Sequence, residues 1–135
     1  MRVLSLICLV TLIPACATSA DMERSASREA SEEARLARKL ANYTAGEPKS
    51  CVENRNLRGP QSYGKSVLVF EASSKLLYVT RTSGSCDGVG RGDALVTRQF
   101  GSQMCRGDIA RSADLVAGFQ TGSCAFGDFV PYRKN

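Results

Sequence analysis

The residues with the clearest chemical potential in this sequence are its six cysteines. Four of them, Cys51, Cys86, Cys105 and Cys124, are widely spaced in the C-terminal two-thirds of the chain. They could form two disulfides or bind a metal ion, but a zinc site is disfavoured because the sequence has no His and no Cys-x-x-Cys pair. We therefore predict two disulfides and no metal site.

Four cysteines allow three pairings. We favour Cys51 with Cys105 and Cys86 with Cys124, although Cys51 with Cys124 and Cys86 with Cys105 fits the spacing equally well. Each bond would stabilise the fold by roughly 3 to 4 kcal/mol in the chain-entropy model. Such cross-links matter here because the chain is short and has no Trp, so its apolar core must be small.

Residues 59–66, with the sequence GPQSYGKS, carry the letters of a phosphate-binding P-loop. A P-loop leads into a helix, whereas this stretch leads into Val67, Leu68, Val69 and Phe70, which indicate a strand. The same objection applies to Ser62-x-x-Lys65, the spacing of an acyl-transfer serine and its lysine, because that pair needs a helical turn. We interpret the stretch as a hairpin turn.

Turns are also the preferred interpretation of Arg91-Gly92-Asp93 and Arg106-Gly107-Asp108, which carry the letters of a cell-adhesion motif. Asp108 is expected to cap a turn or pair with an Arg, and the other acidic residues within the β pattern are Asp93 and Asp128. Four nearby glycines could form an anion-binding nest beside Arg91, but we favour a flexible loop around Cys86. These glycines are Gly84, Gly88, Gly90 and Gly92.

No arrangement of residues predicts catalysis. Without His, no side chain has an ordinary pKa suited to proton transfer near neutral pH, and Asp, Glu, Lys or Tyr would have to do that work. We nominate no catalytic residue and no cofactor.

The N-terminal residues resemble a signal peptide. Arg2 is followed by the apolar run 3–13, which is too short to span a bilayer. The junction Leu12-Ile13-Pro14-Ala15-Cys16 is similar to a bacterial lipobox, so residues 1–15 are predicted to be a lipoprotein signal peptide and Cys16 a lipidated N-terminus. Cleavage at a small-x-small site, which would release a soluble periplasmic protein, is the alternative. Ala17 is not acidic, which in similar lipoproteins accompanies delivery to the outer membrane.

Residues 16–50 are predicted to be the lipid anchor and a charged helical spacer. Residues 21–50 contain six basic and six acidic side chains, and the large apolar groups of the predicted helix are Leu36 and Leu40. These two leucines lie four residues apart and could dock on the domain. We favour a frayed spacer because two apolar residues make a weak stripe.

Residues 51–135 are predicted to form one disulfide-stapled, mostly β domain, a small barrel or meander of about five or six short strands. Residues 67–70 are apolar on both alternating faces, as expected for a strand in the middle of the core. A turn is expected at Ser73-Ser74. The predicted strands are 52–57, 65–72, 75–81, 94–100, 108–113 and 125–130.

The order of motifs in this domain resembles a family of small exported proteobacterial proteins of unknown function. The similarity covers residues 44–132, and the segments around Cys105 and Phe129-Val130-Pro131 are its most specific parts. The sequence departs from the pattern between Pro60 and Gly64 and again at residues 87–89. The resemblance implies one domain and no particular activity.

These features predict an exported protein of the outer membrane that faces the periplasm and acts as a non-catalytic binding or structural module. Its expected partners are the membrane, through the lipid anchor, and an envelope protein or cell-wall component, with no role for nucleic acid. From residue 51 onward, eleven basic residues face seven acidic ones, a mild excess that suits an acidic partner. An inhibitor of a cell-wall lytic enzyme is the alternative, followed by an enzyme of unknown reaction.

Overall fold

The structure is a computed structural model that describes residues 17–99 and 101–135, which are mostly β. The predicted signal peptide, Cys16 and the last residue of the predicted strand 94–100 lie outside the described residues. One helix, α1 (Ala17–Leu40), precedes the strands, and a 3-10 helix (Asp87–Arg91) follows β5. The strands are β1 (Tyr43–Ala45), β2 (Cys51–Glu53), β3 (Arg58–Tyr63), β4 (Val67–Ser73), β5 (Leu76–Ser85), β6 (Ala94–Thr97), β7 (Gln103–Cys105), β8 (Ile109–Asp114) and β9 (Phe119–Lys134).

Two antiparallel sheets make up the β structure. The larger one is a curled half-barrel in the order β3-β4-β5-β9-β8-β6, and the smaller one pairs β2 with β7. Strand β9 is the longest strand of the larger sheet and pairs with β5 along one edge. Its other edge pairs with β8 in its first half and with β1 in its last residues. The predicted small β fold is therefore confirmed.

Register shifts allow the larger sheet to curl. One lies between Thr80 and Thr82, opposite the segment of β9 that contains Gly127, and another lies between Ser112 and Ala113 of β8. An extra residue on one strand bends it and increases its twist. At Gly127 a side chain would collide with the backbone carbonyl of Arg81, so this bend requires glycine.

Strand β4 contributes to two separate cores, as its apolar sequence predicts. Leu68 and Phe70 point into the curl, where Phe70 packs against Phe126 and Phe129 with ring centroids 6.0 and 6.3 Å away. The small sheet covers this inner core with Val52 and Met104. Because successive side chains of a strand point to opposite faces, Val67 and Val69 lie on the other face of the sheet.

The second core lies between the outer face of the sheet and helix α1. Leu36 is only 8% exposed and belongs to the same buried cluster as Val67, Val69, Leu77 and Val79. The docked helix differs from the frayed spacer that the sequence favours. Leu36, with Leu40 packed on the same cluster, docks the helix because β4 and β5 offer four apolar side chains on one face.

The folded unit also begins before residue 51. Strand β1, at residues 43–45, pairs with the end of β9, and Lys49 bridges to Phe129. In addition, the backbone N–H of Gly46 donates a 2.7 Å hydrogen bond to the carbonyl of Pro131. Residues that the sequence assigned to a spacer therefore form part of the sheet, because the long β9 leaves backbone groups that need partners.

Both predicted disulfides are present. Cys51 and Cys105 face each other directly across β2 and β7, with Cα atoms 4.0 Å apart, and Cys86 joins Cys124 within the inner core. The first bond holds the small sheet together, and the second holds the end of β5 to β9. Two disulfides indicate an oxidising, non-cytoplasmic compartment.

The glycine-rich segment after Cys86 differs from the flexible loop that we predicted. Residues 87–91 form the 3-10 helix, which ends at Gly92 with a positive φ of 98°. The backbone N–H groups of Val89, Gly92 and Asp93 all donate to carbonyls within the segment. These three amides are therefore occupied by local bonds and are not available to bind an anion.

Candidate functional site

A cleft of about 640 Å³ lies between the N-terminal half of α1, the turn that joins β3 to β4, and the 3-10 helix. We call it the helix cleft. Charged side chains dominate its walls. They are Asp21, Arg24, Arg28, Glu29, Glu32, Arg35, Lys65, Asp87 and Arg91, with Ser25, Ser62, Gly64 and Gly90 between them.

The cleft exists because the leucines that dock α1 on the sheet lie in the C-terminal half of the helix. Leu36 is buried there, and Leu40 is partly buried on the same cluster. Further toward the N-terminus, the helix carries small and charged residues, and its one large apolar side chain, Met22, is 73% exposed. Since nothing apolar draws this half onto the sheet, a gap remains between helix and sheet.

Polar contacts fix the width of the gap at its closed end. Nη2 of Arg35 donates a 2.6 Å hydrogen bond to the carbonyl of Ser62 and lies 2.7 Å from Oε2 of Glu32. The guanidinium carbon is also 4.5 Å from the ring centroid of Tyr63, a cation–π geometry. Glu32 accepts a 3.3 Å hydrogen bond from the N–H of Gly64. Arg35 and Glu32 therefore position the helix and are not free to bind a ligand.

The opposite wall is the 3-10 helix, which is packed against the hairpin formed by β8 and β9, close to its turn. A side chain at Gly88 would collide with the carboxylate of Asp93 and the hydroxyl of Thr121, so glycine permits this close approach. The hydroxyl of Thr121 donates to Oδ2 of Asp93 at 2.5 Å. Arg91 lies 3.8 Å from both Asp87 and Asp93, so its charge is shared between two carboxylates.

Three charged groups of the cleft have no partner of opposite charge within 4.0 Å among residues 17–99 and 101–135. They are the cations Arg28 and Lys65 and the carboxylate Glu29, whereas Arg24, Arg35 and Arg91 each pair with an acidic group. All three unpaired groups are exposed to solvent in the cleft. They could bind a ligand that carries both carboxylate and ammonium groups.

The stretch 59–66 does not form a phosphate cradle. Its first residues belong to β3, and it turns at Gly64 and continues as β4, so it is the predicted hairpin. The hydroxyl of Ser62 donates a 2.8 Å hydrogen bond to the carbonyl of Gly64, and no hydrogen bond joins Ser62 to Lys65 among the described residues. The stretch nevertheless supplies Lys65 to the cleft as a single positive charge.

The remaining motifs have local structural roles. Gly92 and Gly107 of the two Arg-Gly-Asp triplets both adopt positive φ in turns. Oδ2 of Asp108 accepts a 2.8 Å hydrogen bond from the N–H of Cys105, so it caps a turn as predicted. Asp128 pairs with Arg106 at 3.2 Å. In the part of the chain that the structure describes, no group of three or more potential ligands could hold a metal ion.

Neither a protein-family model, nor a curated protein, nor a solved structure matched this chain. No helix among the described residues is both long enough and apolar enough to cross a membrane. The inference of function therefore depends on the geometry of the helix cleft and on the sequence.

The residues of this cleft could not be singled out from the sequence. Arg28 and Glu29 lie in a segment of mixed charge whose solvent-exposed and sheet-facing sides could not be distinguished without the helix docking. Lys65 lay in a motif that was correctly rejected as a P-loop. The available signal was the pair Leu36 and Leu40, which directs one helix face to the sheet and thereby places residues 28 and 29 above the β3–β4 turn.

Proposed function

We propose that this protein is an exported envelope lipoprotein, tethered through Cys16, that acts as a non-catalytic binding module of the outer membrane facing the periplasm. Its ligand is a short zwitterionic peptide segment of the cell wall, which binds in the helix cleft. The observation that carries the proposal is the unpaired set of Arg28, Lys65 and Glu29 in that cleft.

The charges of the cleft favour such a ligand. Cell-wall peptides carry free carboxylates, which match Arg28 and Lys65, and free ammonium groups, which match Glu29. The volume of about 640 Å³ falls within the range of small-molecule and short-peptide sites. The two disulfides support a place in the envelope because such bonds persist in an oxidising compartment.

The binding test uses the double variant Arg28→Ala/Lys65→Ala in co-sedimentation with purified, insoluble cell-wall sacculi. If each exposed cation contributes about 0.7 kcal/mol, their joint loss weakens binding about tenfold. The matched control is Arg55→Ala/Lys75→Ala, which removes two exposed cations elsewhere and so changes the net charge equally. The control should bind like the original protein.

Equal weakening by both double variants would show that only net charge matters, and the cleft would then lose its role. The original protein could instead fail to sediment with sacculi and be cross-linked to an envelope protein through the cleft. The ligand would then be that protein and not a cell-wall peptide.

The anchor is tested separately by intact mass of the protein from a membrane fraction. A diacylated Cys16 at the N-terminus is expected, whereas an unlipidated N-terminus at Thr18 or Asp21 would make the protein a soluble periplasmic one.

A further inference from the structure

The turn between β8 and β9 exposes three large apolar side chains. Leu115 is 75% exposed, Val116 is fully exposed at 100%, and Phe119 is 59% exposed. We call these three residues the apolar tip. A single exposed apolar residue is ordinary, but three within five positions at the end of a hairpin form a patch, and such patches mark binding surfaces.

The backbone of the apolar tip is held in one conformation by its own hydrogen bonds. Oδ1 of Asp114 accepts hydrogen bonds from the N–H groups of Val116 at 2.8 Å and Ala117 at 2.9 Å. The N–H of Gly118, with φ at 76°, donates to the carbonyl of Asp114 at 2.9 Å. Three consecutive amides therefore have protein partners, which lowers the free-energy cost of moving this part of the turn out of water.

The apolar tip lies at the same end of the molecule as the start of α1. The 3-10 helix lies against the β8–β9 hairpin at Thr121, two residues from Phe119 of the apolar tip, and it also lines the helix cleft together with Asp21 and Arg24. The other end of the molecule holds the β4–β5 turn, where Tyr43, just after the helix, contacts Ser74. Residues 17–21 therefore lie toward the same end of the molecule as the apolar tip.

We propose that the apolar tip inserts into the phospholipid surface to which the chain is tethered. The inference rests on the proposed tether at Cys16, which immediately precedes α1. A narrow hairpin turn with outward-pointing aliphatic and aromatic side chains suits the headgroup and acyl-chain boundary, which needs no complementary groove. On the same hairpin, Arg111 is exposed and has no acidic partner within 4.0 Å among the described residues, so it is free to contact a lipid phosphate.

Charge at the apolar tip also permits insertion. The one acidic residue of the turn, Asp114, directs its carboxylate oxygen to the backbone amides of Val116 and Ala117. Arg98 and Arg111 line one groove with Asp108, and the strand register places Arg98 at the end of β8 that lies away from the turn. Arg111 is therefore the cation of this groove nearer the apolar tip, and its charge complements anionic phospholipids.

The test uses the absence of Trp from the sequence, since Val116→Trp introduces a single fluorescent reporter at a fully exposed position. The variant, as residues 17–135 with an N-terminal hexahistidine tag, is held on vesicles of phosphatidylethanolamine, phosphatidylglycerol and a nickel-chelating lipid. Its emission should shift to shorter wavelength, and lipids with brominated acyl chains should quench it. Ile109→Trp, at an exposed position on β8 away from the turn, is the matched control and should show neither effect.

Replacing the other two apolar side chains tests the cause of insertion. In the Val116→Trp background, Leu115→Ser/Phe119→Ser should reduce the inserted fraction, by about tenfold in partitioning for each side chain removed. No quenching of Val116→Trp while the protein is held on vesicles would overturn the proposal. So would a spectral shift without vesicles that grows with protein concentration, because a second copy would then cover the apolar tip. Since the tag replaces the natural anchor, the result does not depend on acylation of Cys16.

Discussion

Replacement of Leu36 by Ala tests whether α1 is an integral part of the fold. Leu36 is the one large side chain of the helix that is buried on the sheet, in the cluster with Val67, Val69, Leu77 and Val79. If the helix were a spacer that only rests on the domain, this substitution would leave the free energy of unfolding unchanged.

The expected magnitude follows from the burial of the side chain. Leu-to-Ala substitutions at buried sites cost about 2 to 5 kcal/mol, and the cost is larger where the cavity cannot collapse. Leu36 is 8% exposed, so water and neighbouring side chains can fill part of the space. We therefore expect a loss of about 2 to 3 kcal/mol, a large share of the roughly 5 to 15 kcal/mol that stabilises an ordinary domain.

The assay is urea denaturation of the disulfide-bonded protein, followed by far-ultraviolet circular dichroism. Met22→Ala on the same helix is the matched control, because that side chain is 73% exposed and its removal should change stability by less than about 0.5 kcal/mol. Identical unfolding midpoints for Leu36→Ala and Met22→Ala would refute the docked helix. Leu36→Ala should also weaken ligand binding, since the helix cleft requires the docked helix.

Two further predictions concern the strands. Cys86→Ser/Cys124→Ser should lower the free energy of unfolding by about 4 kcal/mol, as expected for a cross-link with a sequence separation of 38 residues, and urea denaturation should show it. Gly127→Ala should lower the free energy of unfolding by about 1 to 3 kcal/mol, because the new methyl group would collide with the carbonyl of Arg81. Gly59→Ala is its control and should be nearly neutral in thermal unfolding, since no atom lies within 4 Å of the added Cβ.

The parts of the fold that could be predicted are those whose signal is local. Residues 67–70 are apolar at every position, and this pattern predicted a strand between two apolar layers, as β4 is. The preferred cysteine pairing matches the structure, although spacing alone also fitted another pairing. The turn capped by Asp108 was predictable because an Asp after Gly favours turns.

The strands that were missed depend on distant partners. β1 and β7 have three residues each, and neither has an alternating pattern that would identify it. β1 forms because one edge of the end of β9 would otherwise have no partner strand. β7 forms because the Cys51–Cys105 bond holds it directly opposite β2 in the small sheet. β3 was also missed, because residues 58–63 contain Gly and Pro, which favour turns, while pairing with β4 keeps them extended.

The same long-range dependence explains why the helix cleft was not predictable from the sequence. Its charged residues come from three segments that are separated by up to about seventy residues along the chain, and their meeting depends on where Leu36 docks. Because the helix is fixed only at its C-terminal half, the separation at its N-terminal half is set by Arg35 and Glu32 at one end and by the 3-10 helix at the other. A membrane contact at the apolar tip would add a constraint at the same end of the molecule. It would hold the cleft in one orientation relative to the lipid surface, which a flexible tether alone could not do.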